Sequence, residues 1–330
     1  MNDFSPIERL FNLFNETAAI LQQELECTYL DALAETAENL FQNQVLQEEM
    51  SDITKKRVWK QYEEVNLADY SKEEIRQAYQ FAILKGMQKN VQPHHQMTPD
   101  SIGLFMSYLL EKFMSEKKEF TILDPAVGTG NLLMTVLNRQ PEATVAAAGV
   151  EVDDLLLKLA WCSANLIEQS IQFYNQDALE PLLIDPVDAV ICDLPVGWYP
   201  NDAGAANYEL KAEEGHSYAH HLFIEQSVKH TKPGGYLFLL IPNGLFEEAG
   251  AQQLHRFFQK HVHIQGLIQL PMSMFKNQQA AKSILILQKQ QEGIPAPNQV
   301  FLAAMPSMKD RQAMQSVMMK MEAWFKENKR

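Results

Sequence analysis

Apolar residues recur at helical spacing through the first ninety residues of the chain. Ile7, Leu10, Phe11 and Phe14 follow the i, i+3, i+4, i+7 spacing of one helix face. Residues 7–85 contain no glycine or proline that would interrupt such helices. The pattern therefore predicts an acidic N-terminal helical region. A partner-binding surface, a lid and a plain structural cap all fit it, and these alternatives stay open.

The pattern changes at about residue 120, where short apolar runs begin to alternate with amphipathic stretches. This alternation indicates an α/β fold with a mostly parallel sheet that is covered by helices on both faces. The seven predicted strands are 120–123, 144–150, 171–174, 189–192, 235–241, 264–270 and 283–288. The predicted helices include 131–139, 155–168 and 219–230. The last two strands are joined by a short connection, so we expect the final strand to run antiparallel.

The length of 330 residues suits two domains. We predict a helical domain over residues 1–92 and an α/β domain over residues 93–330. Residues 201–217 are polar and rich in glycine and alanine, so we expect a long loop there. Loops of this length are usually functional or disordered.

The formal net charge of −14 argues against strong non-specific binding of nucleic acid, although a local basic groove is compatible with it. No apolar run has the length of a membrane span. The acidic N-terminus has no signal-peptide pattern. We expect a soluble, cytoplasmic protein without membrane contact. The three cysteines are far apart and form no C-x-x-C pair, which predicts neither a disulfide framework nor a cysteine-based zinc site.

A glycine-containing turn follows the first predicted strand, in the segment DPAVGTGN of residues 124–131. Gly128 and Gly130 permit backbone angles and close ligand approach that side chains would block. The following helix begins with free N–H groups. The segment lacks the G-x-G-x-x-G spacing of dinucleotide folds, which argues against an NAD-dependent oxidoreductase.

Acidic residues follow the next two predicted strands. Glu151 ends the second strand and is suited to accept the ribose hydroxyls of a nucleoside. Asp177 follows the third strand and is suited to accept a hydrogen bond from an adenine amino group. Both also suit a simpler role as caps of the next helices. Because the carboxyl ends of parallel strands form the ligand-binding edge of open α/β sheets, we predict that these acids and the glycine turn share one site.

These motifs together resemble the class I S-adenosylmethionine-dependent methyltransferases, especially the N6-adenine DNA methyltransferases and the modification subunits of type I restriction systems. The whole chain is similar to the YtxK-like proteins of Gram-positive bacteria. The segment QMTP of residues 96–99 resembles the family's "TP" motif, KPGG and IPNG at 232–244 resemble the region of the fifth strand, and 270–285 resembles the last hairpin of the type I subunits.

The resemblance implies a Rossmann-like class I methyltransferase fold and S-adenosylmethionine as cofactor. The positions that it assigns to cofactor binding are Thr98, Asp124, Ala126, Gly128, Thr129, Gly130, Asn131, Glu151, Val152, Asp177, Ala178 and Asp193.

The fourth predicted strand is followed by Asp193, Leu194 and Pro195, where the amino-methylating family carries Asn/Asp-Pro-Pro-Tyr/Phe. A side-chain oxygen and a backbone carbonyl at this turn accept the two N–H bonds of an exocyclic amine and direct its lone pair at the methyl group. Asp193 and the Leu194 carbonyl are the predicted acceptors. Val196 departs from the pattern because it has no aromatic face to stack on a flipped base. Trp198 and Tyr199 are the candidates to supply this stacking instead.

Two histidine pairs, at residues 94–95 and 220–221, invite a metal-binding interpretation. No cysteine or acidic residue stands at ligand spacing beside either pair, and methyl transfer from a sulfonium needs no metal, so we predict none.

Two hypotheses remain from the sequence. The first is an enzyme that methylates an amino nitrogen, with adenine N6 in DNA as the acceptor by resemblance. The second is a cofactor-binding module that is catalytically degenerate or retargeted and acts through partners, with protein or RNA as other acceptors. Val196 and the acidic charge favour the second hypothesis, whereas Asp193, Pro195 and the complete cofactor set favour the first. DNA is therefore one expected partner and protein partners bound through the helical domain are another, and the oligomeric state is undetermined.

Overall fold

The computed structural model describes residues 4–89, 97–140, 142–307 and 309–328. The predicted domain boundary at residue 92 and the histidine pair at residues 94–95 lie outside these ranges. Within the described residues, the N-terminal region contains four α-helices: α1 (Pro6–Glu24), α2 (Tyr29–Gln42), α3 (Asp52–Glu63) and α4 (Lys72–Lys89).

Local capping explains where the first two helices begin. Ser5 caps α1 and forms a reciprocal capping box with Glu8, and Thr28 and Asp31 do the same for α2. The apolar faces of these helices pack on one another and on the α/β domain, where Leu159 is one of the shared core residues.

The α/β domain is built on one eight-stranded sheet. Its strands are β1 (Glu119–Asp124), β2 (Thr144–Glu151), β3 (Ile171–Asn175), β4 (Val187–Asp193), β5 (Thr231–Pro242), β6 (Val262–Gln269), β7 (Lys282–Lys289) and β8 (Phe301–Ala304). The spatial order is β3-β2-β1-β4-β5-β7-β6-β8. β7 runs antiparallel to both of its neighbours, and the other paired strands are parallel. The predicted fold class is confirmed, but the count of seven strands was one too few because β8 was not predicted.

Helices cover both faces of the sheet. They are α5 (Asp100–Met114), α6 (Asn131–Leu137), α7 (Asp154–Leu166), α8 (Asp202–Ala205), α9 (Ala219–Lys229), α10 (Ala251–His261) and α11 (Arg311–Asn328). Side chains alternate along the buried strands, so Val190 packs on the face covered by α9 and α10 while Ile191 packs on the face covered by α5, α6 and α11. None of the helices in the described ranges has the length and apolarity that a membrane span requires.

The order of the strands in the sheet determines where a ligand site is expected. The chain adds β2 and β3 on one side of β1 and β4 and β5 on the other. A topological switch point therefore lies between the carboxyl ends of β1 and β4, which is where open α/β sheets bind their ligands. The predicted loop at 201–217 follows β4 on this edge and contains the short helix α8.

Candidate cofactor and methyl-transfer site

The glycine turn after β1 adopts the backbone conformation that its sequence predicts. Gly128 and Gly130 have φ values of 54° and 78°, in the region that favours glycine. A Cβ on Gly128 would meet no atom within 4 Å, so there is open space beside this part of the backbone. A Cβ on Gly130 would lie 3.2 Å from Ala160, which shows that this glycine allows α7 to pack closely.

The carboxylate of Glu151 lies against the glycine turn. Its Oε2 accepts a 2.9 Å hydrogen bond from the Gly128 N–H, and its Oε1 accepts from the N–H groups of Val152 and Asp153 at 3.0 and 3.1 Å. Three backbone donors therefore fix the direction of this side chain. The Val152 side chain itself is exposed. The acid after β2 therefore lies directly against the turn after β1.

Asp177 connects the end of β3 with the turn after β4. Its Oδ1 accepts from the Leu179 N–H at 2.9 Å, as an Asx-type turn does, and its Oδ2 accepts from the Tyr199 hydroxyl at 2.7 Å. Tyr199 is buried, so its role here is to hold the two turns together. Ala178 is also buried, and its carbonyl accepts a hydrogen bond from Gln226.

Asp193 ends β4 with both carboxylate oxygens engaged. Thr98 donates its hydroxyl to Oδ2 at 2.8 Å, and the Lys282 ammonium forms an ion pair with Oδ1. Lys282 begins β7 directly opposite Pro242 of β5. The Leu194 N–H is bonded to the Leu240 carbonyl at 3.1 Å, and the Leu194 side chain is buried, which fixes the start of the turn. Pro195 is half-buried.

Asp124, at the end of β1, lies in surroundings that disfavour the charged form of its carboxyl group. Burial raises the pKa of its carboxyl to about 8, and the nearby charges of Asp193 and Glu151 add to the rise against the opposing hydrogen bond from the Ala126 N–H. The group is only 1% exposed. A neutral Asp124 beside two other acids is an environment that attracts a positive charge.

A buried polar network joins the helical region to this site. Arg76 of α4 is 2% exposed and forms ion pairs with Glu73 and with Asp100. Arg76 also donates to Asn131 Oδ1 at 2.7 Å, and Asn131 Nδ2 donates to the Thr98 carbonyl at 2.9 Å. The predicted cofactor residue Asn131 thus uses its side chain to hold the "TP" segment against the glycine turn. Thr129, beside it in the turn, is buried.

The aromatic residues after β4 differ in accessibility. Trp198 is 59% exposed and stacks on Tyr218, with ring centroids 4.2 Å apart and planes inclined by 15°. The two residues also form an isolated antiparallel β-bridge. Val196 is exposed. Of the two predicted stacking residues, Trp198 therefore has a free aromatic face and Tyr199 does not.

A cavity of about 900 Å³ opens beside Trp198 and Tyr218. The loop after β4 and the segment between β5 and α10 form its walls. None of the predicted cofactor residues lines it. The cavity is therefore distinct from the set of residues predicted to bind the cofactor.

The sequence does not predict a role for three charged residues of this region. Lys282 and Arg76 are the charged partners described above, and Glu248 lies against the histidine pair His220 and His221. Lys282 begins an apolar strand, which is a weak signal for a strand-end partner. Arg76 looks like an ordinary solvated charge on a helix, and only its i+3 relation to Glu73 gives a local signal.

The residues present suit S-adenosylmethionine. The open space at Gly128 leaves room for a ligand against the backbone, the oriented Glu151 carboxylate suits ribose hydroxyls, and the acidic surroundings of Asp124 suit a sulfonium cation. The site therefore offers both an acceptor for the ribose of an adenosyl group and acidic surroundings for its sulfonium.

Comparisons with known proteins identify the family of the chain. Residues 8–87 match the family model of the YtxK N-terminal helical domain, and residues 77–329 match that of N-6 DNA methylase. The uncharacterised protein YtxK of Bacillus subtilis (strain 168) is 53% identical over 321 residues, which are 97% of this chain and 98% of that protein.

Two solved structures are similar as well. One is a candidate class I S-adenosylmethionine-dependent methyltransferase from Listeria monocytogenes, with 48% identity, a TM-score of 0.91, and coverage of 97% of this chain and 99% of that one. The other is a type I restriction-modification methyltransferase subunit from Streptococcus thermophilus, with 17% identity, a TM-score of 0.68, and coverage of 95% and 74%. The second likeness concerns the fold alone.

Proposed function

The chain belongs to the N-6 DNA methylase family and carries the N-terminal helical domain of the YtxK-like proteins, and from that premise we propose that it methylates an exocyclic amino nitrogen, with adenine N6 in DNA as the acceptor. S-adenosylmethionine supplies the activated methyl group when it is bound.

The observation that carries this proposal is the hydrogen bond between Thr98 and Asp193. It joins the segment before α5, which Asn131 holds against the glycine turn, to the carboxylate at the end of β4. In this proposal the bond holds the cofactor side and the acceptor side of the site next to each other. A fixed distance between the two sides is what an in-line transfer requires.

Asp193 has the main role in the transfer. An exocyclic amine is a weak nucleophile because its lone pair is delocalised into the ring. When the Asp193 carboxylate and the Leu194 carbonyl accept its two N–H bonds, the nitrogen becomes more tetrahedral and its lone pair is directed toward the methyl donor. Lys282 and Thr98 keep the carboxylate oriented before the acceptor arrives. Preorganised polar groups of this kind are usually the largest contribution to catalysis.

Trp198 is the proposed stacking surface for the acceptor ring. Val196 occupies the position where the family pattern has an aromatic residue, and the exposed Trp198 is two residues further along the turn. Tyr218 stacks on one face of the indole and leaves the other face for the acceptor. A planar heterocycle placed on the free face would lie next to the turn that carries Asp193.

The alternative function is a cofactor-binding module without amine-methylating activity, or one with a protein or RNA acceptor. The specific observation that favours it is Val196 together with the net charge of −14, which limits non-specific contact with DNA phosphates. The two functions share the cofactor site and differ in the use of Asp193.

The deciding experiment measures transfer of radiolabelled methyl groups to unmethylated DNA, to RNA and to a protein lysate, together with calorimetric binding of S-adenosylmethionine. Label in adenine N6 of DNA supports the proposal. Cofactor binding without label in DNA overturns it in favour of the alternative, and label in RNA or protein identifies another acceptor. Gly128→Asp serves as the control that removes both signals, because it fills the space beside the loop with a charged side chain.

A further inference from the structure

Three side chains converge beside Tyr218, whose ring centroid is 5.0 and 5.4 Å from those of His220 and His221. His220 and His221 lie in the first turn of α9, and Glu248 lies between β5 and α10. Oε1 of Glu248 is 2.7 Å from Nε2 of His220 and 3.0 Å from Nε2 of His221. One potential ligand atom from each residue lies within 4.8 Å of the others.

The cluster is buried on one side and open on the other. The side chains of His220 and His221 are 1% and 3% exposed, whereas that of Glu248 is 21% exposed. His221 and Glu248 both line the 900 Å³ cavity. Burial opposes the charge on Glu248, but the hydrogen bonds with the two imidazoles outweigh it and lower the pKa of the carboxyl to about 2.

The donor set determines which cation fits. Two imidazole nitrogens and one carboxylate form the protein ligand set of many open zinc sites, in which the fourth position is left for water or another molecule. Mg²⁺ and Ca²⁺ prefer ligands that are all oxygen. The three residues thus suit a divalent transition metal such as Zn²⁺, which imidazole ligands favour.

Other carboxylates that line the cavity make the electrostatic potential around the cluster more negative. Glu213, Glu214 and Glu247 line the same cavity as the cluster, with Arg256 and His216 as the basic residues of the lining. A pocket with this excess of carboxylates raises the local concentration of cations. His221 and Glu248 face this cavity, so an ion in it can reach the open side of the cluster.

We propose that His220, His221 and Glu248 form a binding site for one divalent transition-metal ion, with Zn²⁺ as the best match, whose open coordination position faces the cavity beside Trp198. This site is separate from the proposed methyl transfer, since attack on a sulfonium methyl needs no metal. The bond lengths of zinc sites, about 2.0–2.2 Å to nitrogen and oxygen, require the imidazoles to exchange their hydrogen bonds with Glu248 for bonds to the ion.

The test uses the full-length protein after dialysis against a chelator. Calorimetric titration with ZnCl₂ is expected to give one saturable site, and titration with CoCl₂ is expected to give visible absorption typical of a four- or five-coordinate ion with nitrogen ligands. MgCl₂ in excess is expected not to displace either ion. Wild-type protein without a saturable zinc site would overturn the proposal.

Matched variants assign the ligands. Glu248→Gln keeps the size and an acceptor oxygen but removes the charged ligand, and Glu247→Gln removes the same charge from the same cavity without touching the cluster. We expect the first change to weaken zinc binding at least about tenfold and to abolish the cobalt spectrum, with the second nearly neutral. His221→Gln provides an independent loss of a ligand, and circular dichroism with thermal melting verifies that each variant is folded.

The outcome of this comparison is unambiguous. If Glu248→Gln and Glu247→Gln weaken zinc binding equally, the cavity attracts cations only through its overall negative charge. That result overturns the assignment of a three-residue site. Wild-type affinity in folded Glu248→Gln or His221→Gln protein overturns it as well. None of these results depends on methyltransferase activity.

Discussion

The hydroxyl of Thr98 donates a 2.8 Å hydrogen bond to Oδ2 of Asp193, although the two residues lie 95 positions apart in the chain. The bond connects the segment that precedes α5 with the end of β4. Lys282 holds the other oxygen of the same carboxylate. The direction of the Asp193 side chain is thus set by two separate parts of the sequence, and this arrangement leads to the first prediction.

Asp193→Ala is expected to reduce methyl transfer about 100-fold or more, the usual effect of removing one preorganised polar group. Thr98→Val, which removes only the hydroxyl, is expected to have a smaller effect because Lys282 remains. Turnover and cofactor affinity are measured separately by single-turnover labelling and calorimetry. The assigned role requires the loss in turnover with little change in affinity; full activity in Asp193→Ala would disprove it.

Glu151→Ala is expected to weaken binding of S-adenosylmethionine by about 1.5–3 kcal/mol, the range for hydrogen bonds to a charged group. The change also removes the acceptor of the Gly128, Val152 and Asp153 amides, so the loop loses its anchor. Calorimetry gives the affinity. Glu168→Ala is the matched control. Glu168 lies just beyond the C-terminal end of α7, at the opposite end of that helix from Glu151. An unchanged affinity in Glu151→Ala would remove this residue from the site.

The outline of this site was accessible from the sequence because its acids directly follow apolar strands. Every predicted strand overlaps an observed one, and Asp124, Glu151 and Asp193 end β1, β2 and β4. Alternation of strands and helices brings such strand ends to one edge, whatever the details of packing. β8 was missed because it is an edge strand in which only Phe301 of the four residues is buried, so its pairing with β6 rather than a local pattern defines it.

The partners of these acids were not accessible, because they depend on register and tertiary packing. Lys282 reaches Asp193 through the antiparallel pairing of β7 with β5, in which Lys282 lies opposite Pro242. Glu248 meets His220 across a separation of 28 residues that contains an entire strand. No local spacing encodes either contact.

Cofactor affinity is expected to increase with pH up to about 8 and then to level off. The raised pKa keeps Asp124 protonated in the free protein below about pH 8, whereas a bound sulfonium favours its carboxylate. Binding therefore releases a proton below that pH and becomes weaker as the pH falls. Calorimetry across this range measures the dependence, and S-adenosylhomocysteine, which has no sulfonium, is the control ligand. A flat profile for S-adenosylmethionine, or no flattening by Asp124→Asn, would contradict the prediction.

The same group predicts a pH-dependent stability. In the unfolded chain, Asp124 loses its proton near pH 4, whereas the folded protein without ligand holds it until about pH 8. The folded state binds more protons in this interval, so this carboxyl makes the free energy of unfolding fall as the pH rises from about 4 to 8. Asp124→Asn is expected to raise the melting temperature of the cofactor-free protein at pH 8 and to raise it less at pH 5. An equal effect at both values would contradict the shifted pKa.

Trp198→Ala is expected to weaken binding of the acceptor and leave cofactor binding unchanged. The exposed indole stacks on Tyr218, and base–aromatic stacking contributes about 1–3 kcal/mol per base. The measurement is the KM for an adenine-containing oligonucleotide, compared with the affinity for S-adenosylmethionine. Trp198→Phe is expected to retain most of the function because it keeps an aromatic face. Similar loss in both variants would indicate that the indole contributes in another way.

Arg76→Met is expected to lower both the stability of the protein and its affinity for the cofactor. Removing the buried guanidinium leaves Glu73 and Asp100 without their ion-pair partner, a change that typically costs about 3–5 kcal/mol. It also removes the donor that holds Asn131, through which α4 supports the segment of Thr98. A purely structural role would lower the melting temperature alone, so affinity is measured by calorimetry at a temperature where the variant is fully folded.

Arg57→Met is the matched control for this prediction, since Arg57 is an exposed arginine on α3 of the same helical region. Its replacement is expected to change the free energy of unfolding by less than about 0.5 kcal/mol, as surface substitutions usually do. Hydrogen exchange of the backbone amides around Thr98 and Gly128 adds a local readout, and faster exchange in Arg76→Met than in Arg57→Met is the expected result. If folded Arg76→Met binds S-adenosylmethionine with wild-type affinity and shows no faster exchange there, the helical region does not support the cofactor site through this arginine.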